Sequence, residues 1–93
     1  MLTFPIKKQW FDMIKSGEKR QEYRDYTPYY LSRLGAKLQT ECMIKFRNGY
    51  SKTSPYMICH CKIHYGIGRT EWGAVSGKKY FVLDVLEIVE AYP

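Results

Sequence analysis

The run "YFVLDVLEIVE" constrains this chain most, because it is apolar at both alternating sets of positions. Phe81, Leu83, Val85 and Val89 fall on one side of an extended strand, and Val82, Leu86 and Ile88 on the other. A strand with one wet face alternates apolar with polar residues, so this pattern predicts a central strand covered on both sides. Such a strand needs neighbours, and the preceding sequence supplies them. "ECMIKF" and "YMICHCKIHY" read as strands joined by the turn "RNGY", whose Asn48-Gly49 pair suits a tight hairpin. A glycine-punctuated loop, "GIGRTEWGAVSGKK", leads into the final strand.

The first part of the chain is different. "LTFPI" reads as a short strand, held to a sheet edge by Pro5. Trp10, Phe11 and Ile14 then share one face of a short helix that stops at Ser16-Gly17. "RQEYRDY" alternates as a strand, placing Glu22 and Arg24 on one face and Gln21 and Tyr23 on the other. Thr27-Pro28 opens a second short helix, with Thr27 as N-cap, Pro28 in the first turn and Gly35 as its stop. The expected fold is α+β and mainly β: about five to six strands and two short helices curled into a small barrel. An α+β sandwich is the alternative, but an open sheet with so little helix leaves one face bare. At 93 residues the chain reads as one domain over 1–93.

Charge narrows the partner. The formal net charge is +6, and three of the nine acids, Asp84, Glu87 and Glu90, lie beyond the last base, Lys79. A basic surface on a small globular domain suits a polyanion, nucleic acid or a nucleotide-derived ligand. No apolar run approaches the roughly 20 residues that span a bilayer, and "MLTFPIKKQW" has no signal-peptide pattern. Three cysteines without framework spacing suit a reducing compartment. The expectation is a cytoplasmic chain without a membrane partner, monomeric by default.

Four stretches carry candidate chemistry. "CHCKIH" invites a metal reading, but on a strand Cys59 and Cys61 share one face while His60 and His64 stand ~13 Å apart on the other. Core cysteines are expected there, with no metal or cofactor. "GIGRTEWG" meets neither the Walker nor the Rossmann spacing and reads as a flexible loop, whose Arg69 and Trp72 give it a cation and a stacking surface. "KFRNGY" places Arg47, Asn48 and Tyr50 at a loop tip, a pairing that grips phosphate and stacks on a base. In "SGEKRQEYRDY", Glu22 and Arg24 share a strand face and Lys19 arrives from the turn before them. On a solvated face these charges are ordinary surface pairs of little worth. Pointing into a barrel mouth, they become a partly desolvated site in which Glu22 accepts hydrogen bonds or acts as a general base.

The same residues resemble a known signature. Gly17-Glu18-Lys19-Arg20-Gln21-Glu22-Tyr23-Arg24 is similar to the G-x-K-x-x-E-x-R motif of the ASCH domain superfamily, small β-barrel domains related to PUA RNA-binding domains. The strand, lysine and short helix of "IKKQWFD", and the later "RNGY" and "YFVLDVLEIVE", are in keeping with it. The resemblance implies a barrel with a cleft beside the motif that binds RNA or nucleotide-like ligands. Its cleft residues would be Lys19, Glu22 and Arg24, with Lys7 from the first strand as a neighbour. Some small ASCH proteins are amidohydrolases on N4-acetylcytidine derivatives, and their motif lysine matches Lys19. They use a threonine nucleophile where this chain has Glu22, so an acyl-enzyme route lacks its hydroxyl and Glu22 could at most activate water.

The functional expectation is therefore an RNA-binding or modified-nucleotide-binding domain. Lys19 and Arg24 would contact phosphate or base oxygens, Glu22 would accept from a base amine or ribose hydroxyl, and Tyr26, Tyr50 and Trp72 would stack. Two alternatives stand beside it: a small hydrolase, amidohydrolase or ribonuclease, using Lys19 and Glu22, and a protein-interaction module with a basic face.

Overall fold

Each helix has a local signal at one end, Gly17 where the first stops and Thr27 where the second starts. The computed structural model describes residues 1–93 and places strand β1 at Leu2–Pro5, followed by helix α1 at Lys8–Ser16. In α1 Phe11 and Ile14 are buried, and Gly17 ends the helix at φ 86° with its N–H on the Ile14 carbonyl. A side chain at that left-handed position would strain the turn that sends the chain back. Strand β2, Gln21–Arg24, leads to helix α2, Pro28–Leu34, where Thr27 Oγ1 accepts from the Tyr30 N–H at 3.4 Å. Gly35 caps α2 as expected, but without the left-handed conformation of a usual glycine stop. It keeps right-handed helical dihedrals and opens a 3-10 turn over Gly35–Lys37, and the left-handed position falls at Gln39, φ 64°.

The remaining elements are β3 at Glu41–Arg47, β4 at Tyr56–Ile67, a 3-10 turn at Thr70–Trp72 and β5 at Lys79–Tyr92. They form one five-stranded sheet in the order β1-β3-β4-β5-β2, strongly curled into a half-barrel with the two helices. β1 lies parallel to β3, and every other pair is antiparallel. β1 and β2, neighbours in sequence, thus become the two free edges of the curl. Their separation is what leaves the half-barrel open along one seam.

The core fills the inner face: Ile44, Phe46, Cys59, Ile63 and Leu83 from the sheet meet Phe11, Ile14 and Leu34 from the helices. A second, smaller cluster of Ala74, Tyr80 and Val82 lies on the other face, with Tyr23 packed against it. The first half of β5 is therefore covered on both sides, as its double-sided apolar pattern predicts. Its second half is not: Leu86 and Val89 are about half exposed. The ladder with β4 explains why, since it steps from Cys61↔Val85 to His60↔Glu87 and from Cys59↔Ile88 to Ile58↔Glu90. Leu86 and Val89 are the extra residues of two β-bulges, turned out of the ladder where β2 no longer covers the strand. The expectation of full burial along β5 fails there for that reason.

The hairpin between β3 and β4 is also wider than a two-residue turn. Residues 48–55 form the loop, closed by the Asn48 N–H on the Pro55 carbonyl at 2.8 Å, and Ser51 and Ser54 build a turn of their own inside it. Side-chain hydroxyls that satisfy the backbone locally compete with a tight hairpin turn.

Cys59 and Cys61 lie in the core, as the strand alternation predicts, and are fully buried. Burial pushes the Cys59 thiol up to about 11 and raises Cys61 further in the same direction. Between the ordinary thiol value of 9.0 and about 11 the unfolded chain releases protons that the folded chain keeps, so the thiol contribution to stability is full below pH 9 and falls as pH rises. Alkylation of the native protein is expected to leave Cys59 and Cys61 unmodified while the half-buried Cys42 reacts first, as read by peptide mass spectrometry. Equal labelling of all three would place the cysteine strand outside the core. His60 and His64 point the other way, against Glu41 and Asp84 at 2.8 Å each, and no group of three His, Cys, Asp or Glu side chains converges.

Candidate functional site

The open seam is also the main cavity. A groove of about 790 Å³ runs between the end of β1 with the residue after it (Pro5, Ile6) and the end of β2 with the residue after it (Glu22 to Asp25). Where the edge strands fail to pair, a side chain joins them: the Arg24 guanidinium on β2 donates to the Pro5 carbonyl on β1 at 2.8 Å. The same guanidinium donates to the Tyr30 hydroxyl at 3.0 Å and lies over the Phe4 ring. Arg24 thus acts as a clasp across the seam.

Below it lies a buried ion triad. Glu22 accepts from Arg24 through one carboxylate oxygen at 2.7 Å and from Lys19 through the other at 3.0 Å. Lys19 gets there because Gly17 reverses the chain and the Lys19 N–H bonds the Met13 carbonyl at 2.9 Å, aiming the side chain inward. Its ammonium, 1% exposed, donates to the Trp72 carbonyl at 2.5 Å and sits 4.4 Å from the Trp10 ring centroid. Desolvation holds the Lys19 pKa below its ordinary value, and the Glu22 carboxylate works against that shift. Two cations around one carboxylate leave the floor of the groove with an excess positive charge. The Arg24 Nε–H, buried, has no partner in the protein.

Two loops form the walls. The 68–78 segment is a packed wall, where a flexible loop is the sequence expectation. Tyr23 Oη accepts from the Arg69 N–H at 2.9 Å and Tyr80 Oη accepts from the Val75 N–H at 2.9 Å, so hydroxyls from β2 and β5 pin the loop at two points. Trp72 is thereby held over the groove, and Lys78 pairs with Asp25 at 2.9 Å on the rim. On the opposite side Asn48 lines the groove, and Tyr50 stands 89% exposed at its mouth.

Of the residues singled out in the sequence, Lys7, Glu22, Arg24, Asn48, Tyr50 and Trp72 line this groove, and Lys19 lies beneath it. Lys7 is the N-cap of α1, two positions beyond β1, the strand expected to carry it. Three others are elsewhere. Arg47 ends β3, Arg69 belongs to the wall but does not line the groove, its side chain pairing with Glu71 and lying over Trp72, and Tyr26 packs against Phe81 and Tyr65. Residues the sequence did not flag also line the groove: Trp10, Tyr23, Tyr30 and Lys78. Trp10 and Tyr30 read as apolar helix positions, and only the closure of the sheet reveals that they face the seam. No serine, threonine or cysteine lines the groove, and Thr27 and Thr53 are engaged in capping α2 and in the 48–55 loop.

No family model, curated protein or solved structure matches this chain.

Proposed function

We propose that this chain is an ASCH-like, PUA-related module that binds RNA or a modified nucleotide in the seam groove. The observation that carries the reading is the buried Lys19–Glu22–Arg24 triad, positively charged overall, beneath a groove lined by both tryptophans of the chain. An anionic, planar ligand fits that pairing: phosphate against the cations, a base against an indole. The triad residues are those of the G-x-K-x-x-E-x-R signature. Lys19 acts from below, because its ammonium is committed to Glu22 and the Trp72 carbonyl. Phosphate contacts fall to the rim, Lys7 and Lys78, and to Arg24. Trp72 and Tyr50 supply the stacking surfaces.

Titrating short single-stranded RNA at several salt concentrations tests this. Affinity is expected to fall with salt, and Lys7→Ala with Lys78→Ala to lower the log–log salt slope by about 1.4, the value for two lost phosphate contacts. Salt-independent affinity, or a double variant that binds as wild type, sinks the reading.

The lowered pKa of Lys19 beside a carboxylate favours one second reading, a hydrolase using Lys19 and Glu22 on acylated cytidine or RNA. Both Glu22 oxygens already hold a cation, which favours the binder. Mass spectrometry of N4-acetylcytidine and RNA incubations separates the two: turnover abolished by Glu22→Gln supports the enzyme. A protein-interaction module would show neither turnover nor RNA affinity.

A further inference from the structure

A second aromatic surface begins where the groove ends. Asp25 and Lys78 form the rim of the groove, and the residue after each in the chain, Tyr26 past the end of β2 and Lys79 at the start of β5, is not among those lining it. Tyr26 is 52% exposed, yet one face of its ring lies on the buried Phe81, with centroids 5.0 Å apart and planes 22° apart. Tyr65, 43% exposed, meets the same ring edge-on at 5.0 Å. Tyr26 is thus packed against two rings while about half of its surface stays exposed. The Lys79 ammonium stands 5.9 Å from the Tyr65 ring centroid.

We infer that Tyr26, Tyr65 and Lys79 form a base-stacking site for single-stranded RNA, contiguous with the groove, so that the ligand is an oligonucleotide and not a lone nucleotide. The inference rests on the reading of the groove as an RNA or nucleotide site. A ring already fixed by Phe81 and Tyr65 loses little freedom when a base stacks on its exposed part. Lys79 supplies the cation for the adjoining phosphate. At the junction the Asp25 carboxylate is neutralised by Lys78, so no free negative charge separates the two surfaces. Successive bases on aromatic platforms, with lysines following the backbone, are how proteins hold single strands without reading sequence.

The experiment compares uridine monophosphate with fluorescein-labelled oligouridylates of about two, four and eight nucleotides, lengths that bracket one binding platform. The monophosphate is followed by tryptophan fluorescence and the oligomers by anisotropy. Affinity is expected to rise with length. Tyr26→Ala and Lys79→Glu are each expected to weaken the longest oligomer about tenfold while leaving the monophosphate titration unchanged. Tyr26→Phe, which keeps the ring, is expected to bind as wild type, and Lys79→Glu leaves the packing intact should Tyr26→Ala unfold. Length-independent affinity, or full affinity in both Tyr26→Ala and Lys79→Glu, overturns the second site and leaves the groove standing. Failure of the wild type to bind the monophosphate or any oligomer overturns the groove reading, and this inference with it.

Discussion

Glu22→Ala is expected to lower stability by about 3–5 kcal/mol, measured as the shift in urea unfolding free energy, because it strips two buried cations of their shared counter-charge. Lys19 is 1% exposed and Arg24 10% exposed, so water cannot replace the lost carboxylate. In a chain of 93 residues such a loss is a large share of a total on the order of 5–15 kcal/mol. Its pH dependence gives a second signature. Desolvation already holds the Lys19 pKa below the ordinary 10.5, and removing Glu22 takes away the main influence opposing that shift. Where the folded lysine has released its proton and the unfolded one has not, stability rises with pH. The deficit of Glu22→Ala relative to wild type should therefore shrink as pH climbs towards 10.5. Glu22→Gln keeps an acceptor and the volume, and should fall between. A Glu22→Ala protein within about 1 kcal/mol of wild type would mean that the triad is solvated, as an ordinary surface pair is.

Gly68→Ala is the second large effect. A Cβ at this position would stand 2.6 Å from Tyr23 Cε1 and 2.7 Å from the Ala74 Cβ, and neither neighbour is free to move. The Tyr23 hydroxyl donates to Gln21 Oε1 at 2.7 Å and accepts from the Arg69 N–H, while Ala74 is buried within the loop, its N–H on the Arg69 carbonyl. The wall must shift outward, at a cost of about 1–3 kcal/mol for overpacking. Because the Lys19 ammonium bonds the Trp72 carbonyl in that wall, the displacement reaches the floor of the groove. The expected result is a folded protein with a lowered thermal midpoint, altered Trp72 fluorescence and at least tenfold weaker RNA binding, the loss of about one stacked base. Wild-type binding together with a wild-type midpoint would show that the wall is not rigid.

What could be read from the sequence was local, and what could not was made by pairing. Ser16-Gly17 and Thr27-Pro28 fix helix boundaries through the chemistry of adjacent residues, and both act as expected. The alternation in "RQEYRDY" correctly puts Glu22 and Arg24 on one face, where they pair at 2.7 Å. The bulges at Leu86 and Val89 are properties of the β4–β5 ladder and leave no trace in the composition of either strand. The burial of Lys19 depends on a carbonyl at Trp72, remote in sequence and in a loop that reads as mobile. The parallel pairing of β1 with β3 sends β2 to the far edge and creates the seam, so no single segment announces the groove. Trp10, Tyr30 and Lys78 could have been found only by combining helix faces with that strand order.

The central claim is that the seam groove over the Lys19–Glu22–Arg24 triad is the binding site, and the chain carries its own reporter. Both of its tryptophans, Trp10 and Trp72, line the groove. Intrinsic tryptophan fluorescence, followed while short single-stranded RNA is titrated at low salt, therefore reports on that groove. The expected result is a saturable change whose midpoint moves to higher RNA concentration as salt is added and in the Lys7→Ala, Lys78→Ala double variant. RNA that binds by anisotropy without altering the tryptophan signal, or that does not bind at all, would contradict it.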